Sequence, residues 1–106
     1  MYRYFYIRTD HITDSWSTKQ IESCIEDTKL FIKEMDGNYS GIGFYCLVSL
    51  MNVKNWDSWN NLDYDCEYTN YINVVTSKSG SGDIPERSGI IIWVLSNLLN
   101  ASVREE

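Results

Sequence analysis

Between Asn55 and Tyr71 the chain reads NWDSWNNLDYDCEYTNY, placing Trp56, Trp59 and Tyr64 among the carboxylates Asp57, Asp63, Asp65 and Glu67. In an extended strand alternate residues share a face, so Asp63, Asp65 and Glu67 would point to one side with Cα atoms about 7 Å apart at each step. Carboxylates in such a row repel one another unless something positive meets them. A hard cation such as Mg²⁺ is one answer, but the glycine and the closing glutamate of an EF-hand loop are missing, and no substrate-binding motif accompanies the row. A surface rich in Lys and Arg fits better. A third reading needs no ligand: a solvated edge strand whose charges block aggregation.

The aromatic residues divide in the same way. Trp and Tyr fill small cores, yet Trp56 and Trp59 are flanked by Asn55, Asp57, Asn60 and Asn61, which are poor core neighbours. Large aromatics are also enriched where interfaces concentrate binding energy. The candidate partner-binding set is therefore Trp56, Asp57, Trp59, Asp63, Tyr64, Asp65 and Glu67, with the rings as anchors and the charges steering the encounter.

Little else in the chain suggests catalysis. His11 is the sole histidine, set between Asp10 and Asp14, and spacing alone pairs it with no nucleophile. Cys24, Cys46 and Cys66 are widely spaced, without a CxxC, and read as buried free thiols. The glycines Gly41 and Gly43 lack the lysine of a phosphate loop. No catalytic residue, cofactor or metal is expected.

A net charge of −6 and a pI near 4.6 argue against direct contact with nucleic acid or an anionic membrane, both of which select basic patches. They favour a basic protein partner. The start MYRYFYIRTD has no small-residue cleavage site, and the longest apolar run, Gly89 to Leu95, falls short of the roughly 20 residues a bilayer span needs. The expected location is the cytoplasm.

The elements that must hold these residues follow from periodicity. At 106 residues the expectation is a single domain over 1–106, burying roughly 65% of its unfolded surface. Tyr2 to Ile7 reads as a strand with Tyr2, Tyr4 and Tyr6 on one face. Ser17 and Gln20 suggest an N-cap, and Ile21, Cys24, Ile25, Thr28, Phe31, Ile32 and Met35 continue at helical spacing to a stop at Gly37. Gly41 to Met51 reads as a central strand apolar on both faces, and Glu67 to Ser77 as a strand pairing with it, Tyr68 and Cys66 included in the fold. A further short strand within 52–62 is allowed.

Asp83, Pro85 and Glu86 open a helix running to about Ala101, apolar on most sides and so expected at the centre of the core. A strand over 89–95 is the competing reading. The tail VREE is expected to fray. The result is an α+β fold with a three- to four-stranded, mainly antiparallel sheet packed with two helices, in the order β-α-β-β-α.

In its size, acidity, helix-flanked small sheet and aromatic, carboxylate-rich segment, the chain resembles immunity proteins of bacterial toxin and immunity systems, of the contact-dependent growth inhibition type. The resemblance implies a non-enzymatic inhibitor that binds a cognate toxin, such as a nuclease domain, and covers its active site or substrate-binding surface. Two other readings remain open. One is a phage-type inhibitor or nucleic-acid mimic; the other is a small metal-dependent enzyme using clustered carboxylates. The aromatics can also serve a homo-oligomer contact.

Overall fold

The computed structural model describes residues 1–58 and 63–106, so the expectation for Trp59 lies outside the described residues. Its main element is a six-stranded antiparallel sheet of order β3-β4-β5-β7-β1-β8. The strands are β1 (Tyr2–Arg8), β3 (Phe31–Met35), β4 (Asn38–Gly41), β5 (Cys46–Met51), β7 (Tyr71–Ser77) and β8 (Val103–Glu105). A two-residue pair, β2 (Trp16–Ser17) with β6 (Tyr68–Thr69), lies beside it, and the helices are α1 (Thr18–Asp27) and α2 (Glu86–Leu99). The α+β class and the antiparallel pairing agree with expectation; the main sheet is wider than three or four strands.

Period-two alternation sorts the sheet into two faces. Ile7, Phe31, Tyr39, Cys46, Val48, Leu50, Ile72 and Val74 face the helices and pack with Ile21 and Ile25 of α1 and Ile91 and Leu95 of α2. The opposite face carries Tyr2, Tyr4 and Tyr6 of β1, as their alternation predicts. One end of it is covered, where Met51, Val53 and Tyr71 form a second small cluster with Tyr6, Ile12 and Trp56.

Several elements differ from the periodicity reading. Ser17 does cap α1, its hydroxyl accepting from the Gln20 N–H, but the helix ends at Asp27 instead of reaching Gly37. Thr28 turns the chain: its Oγ1 donates to the Ile25 carbonyl at 2.6 Å and accepts from the Leu30 N–H. Lys29 then adopts φ +58°, and Phe31–Met35 pairs with β4 across a turn at Asp36 and Gly37. The expected strand Gly41 to Met51 is interrupted at Gly43, φ +81°, and β5 is not covered on both sides, since Leu47 is exposed.

The helix over Glu86–Leu99 is present, without a side-chain cap from Asp83. It is not the centre of the core: Ile91 and Leu95 are buried but Ile90 and Trp93 face outward. The C-terminal residues form β8 rather than fraying, because the β1 edge needs a partner and Arg3 grips Glu105 through two bonds of 2.6 and 2.7 Å. Cys46 is buried, Cys24 half-buried and Cys66 exposed, so the expectation of buried thiols fails at Cys66. Burial pushes the Cys46 thiol up to about 11. Among the described residues no helix is long and apolar enough to cross a membrane.

Candidate functional site

The segment from Asp63 to Glu67 is not a strand, and its carboxylates do not stand in a row. β6 begins only at Tyr68. The reason is local: the Asp65 carboxylate turns back and accepts the Glu67 and Tyr68 N–H groups at 2.8 and 2.9 Å, an arrangement that bends the backbone where an extended strand would run straight. Those two bonds hold the Asp65 carboxyl below the usual range. Its carbonyl accepts from the buried Thr18 hydroxyl at 2.8 Å, and the Glu67 carbonyl from the Thr18 N–H. The segment is thereby stitched to the start of α1.

Tyr64 makes the second attachment. Its ring fills the space above Gly37, which no larger residue could share, and its hydroxyl reaches Glu22 of α1 at 3.3 Å. Glu22 and Glu26 sit one turn apart on α1. Between them lies the hydroxyl of Tyr39, a residue only 1% exposed, at 3.0 Å from Glu22 and 2.8 Å from Glu26. A phenol has one proton, so one donor serves two carboxylates. Burial, reinforced by these bonds, raises the Tyr39 hydroxyl well above the usual tyrosine range, and burial likewise raises Tyr64.

Lys33 of β3 adds positive charge, with its ammonium 3.3 Å from Asp36 and 3.6 Å from Glu22. The bond to Asp36 and the charge of Glu22 raise its pKa. Three separate stretches of sequence thus bring Glu22, Glu26 and Asp36 together around Tyr39, Tyr64 and Lys33, while the backbone of Asp65 and Glu67 is fastened beside the first turn of α1. Glu22, Glu26 and Asp36 had no place in the sequence-derived set. The signal for Glu22 and Glu26 was visible, since like charges at i and i+4 repel, but nothing in the spacing pointed to Tyr39.

The structure separates Trp56 from this group. Trp56 packs against Tyr71 with ring centroids 6.0 Å apart, and the Arg8 guanidinium lies 4.7 Å from its ring centre. It belongs to the small cluster on the other face of the sheet. The chain leading to it is tied at Val53 by Asn70, which is fully buried: Oδ1 accepts the Val53 N–H at 2.8 Å, while Nδ2 donates to the Val53 and Ile12 carbonyls at 2.9 and 3.0 Å. Asp57 is exposed beside it. Among the described residues no group of three or more His, Cys, Asp or Glu is placed to hold a metal.

Comparison of the chain with protein-family models, with curated proteins and with solved structures returns no match.

Proposed function

We propose that this protein is a non-enzymatic binder that neutralises a basic partner, a toxin nuclease domain being the class its resemblance to immunity proteins implies, in the cytoplasm. It would do so by laying its acidic end over the partner's active site or substrate-binding surface. The observation that supports this reading is the convergence of Glu22, Glu26 and Asp36 around Tyr39, Tyr64 and Lys33. Held by the fold before any encounter, these carboxylates avoid the ordering cost a flexible acidic tail would incur on binding. Like-charged side chains so close are relieved by a Lys- or Arg-rich surface, which also steers association.

The experiment is a binding titration against a basic toxin domain encoded beside this gene, at low and high salt. Replacing the exposed Asp36 and Glu67 with Lys is expected to weaken the complex by about tenfold or more, chiefly at low salt. Asp65 is left intact, because its carboxylate holds the turn. Unchanged affinity in the double variant would refute the assignment of this surface.

A further inference from the structure

The sheet face turned away from the helices carries a second surface that the acidic end does not explain. The strand registers set Tyr4, Val75, Leu47, Ser40 and Ile32 side by side across β1, β7, β5, β4 and β3. Tyr2 and Tyr45 extend this row, their ring centroids 4.9 Å apart. Tyr2, Tyr4, Tyr45, Leu47 and Ile32 are between 38% and 55% exposed. None is charged, in a chain where 23% of residues are. Among the described residues the charges on this face lie toward its margins: Arg8 beneath Trp56 with Asp57 beside it, Arg104 of β8 and the adjoining Glu106, and Glu34 on β3.

We propose that this face is the contact between two copies of the chain. With tyrosines of about 200 Å² each, its exposed part is on the order of 500 Å², as large as the largest apolar patch of a typical monomer and over half of one side of a standard interface. A Lys- and Arg-rich partner finds no counter-charge among the exposed rings, only Glu34, Asp57 and Glu106 at the edges. A second copy finds the same uncharged surface, and a two-fold axis makes one patch its own complement. Two chains of net charge −6 approach most easily where no carboxylates meet. Glu22 and Glu26 lie on the helix side, so such a dimer leaves both acidic ends open.

Sedimentation equilibrium tests this, under reducing conditions because Cys66 is exposed. The mass is expected to rise with concentration from 12.4 kDa to twice that value. Leu47→Lys and Tyr4→Lys should each hold it at the monomer value with the far-ultraviolet circular dichroism unchanged, and Tyr2→Lys serves if either variant misfolds. Trp93→Lys, on the outer face of α2, should dimerise like the parent. A parent that stays monomeric throughout, or lysine variants that dimerise normally, would overturn the proposal. So would loss of the dimer in Trp93→Lys, or a monomeric parent whose toxin binding is lost in Leu47→Lys.

Discussion

Tyr64 sits so closely over Gly37 that a Cβ on the glycine would overlap the ring at Cδ1 and Cε1, and Gly37 itself holds φ +77°. Backbone and ring therefore depend on each other. Gly37→Ala meets both a strained conformation and the ring, and should cost about 1–3 kcal/mol in chemical denaturation. Tyr64→Ala removes the obstacle. The double variant should lose less than the sum of the two single changes, which a double-mutant cycle would measure.

Tyr39 and Tyr71 make folding sensitive to alkali. Burial raises both hydroxyls, Tyr71 to about 12, whereas in the unfolded chain each ionises near the ordinary value of about 10. Their contribution to stability is thus fully present below about pH 10 and is lost as pH rises through the folded-state values. Urea midpoints measured from neutral pH to beyond pH 11 should fall steeply in the parent and more gently in Tyr71→Phe. Tyr39→Phe should in addition lose about 1–3 kcal/mol at neutral pH, since Glu22 and Glu26 both lose the Tyr39 hydroxyl as a donor.

Asn70 is predicted to moor the loop that carries Trp56. Asn70→Ala removes three hydrogen bonds and leaves main-chain groups of Val53 and Ile12 unsatisfied, for an expected cost of about 2–4 kcal/mol. Trp56 emission should move to the red as its packing on Tyr71 loosens. Trp56→Phe, which keeps an aromatic ring over Tyr71, should leave affinity for a basic partner unchanged if the acidic end alone makes the contact.

How much of this was legible in the residues depends on the range over which the physics acts. The Ser17 cap, the helix over Glu86–Leu99 and the alternation of β1 are local and were readable. The strand Phe31–Met35 was misread because Phe31, Ile32 and Met35 satisfy helical spacing while the Asp36-Gly37 pair, a hairpin signal, also serves as a helix stop. Asp63, Asp65 and Glu67 alternate like a strand, but the side chain of Asp65 competes for the backbone and wins. Trp56 had polar neighbours in sequence, whereas in space it packs against Tyr71 and the Met51 and Val53 cluster, with Arg8 against its ring. Tyr39 carried no local sign of its role, because Glu22 and Glu26 reach it only through the packing of α1 on the sheet.

The sheet order carries a consequence for synthesis. β1 is made first, yet both its neighbours, β7 and β8, come from the last third of the chain. On a ribosome the run YRYFYI therefore waits with unpaired edges and exposed rings until residues beyond Tyr71 emerge, while β3, β4 and β5 can zip together as they appear. Contacts of such long range close slowly, and an unpaired aromatic strand in the interval is the segment on which a chaperone, or an aggregate, would first take hold.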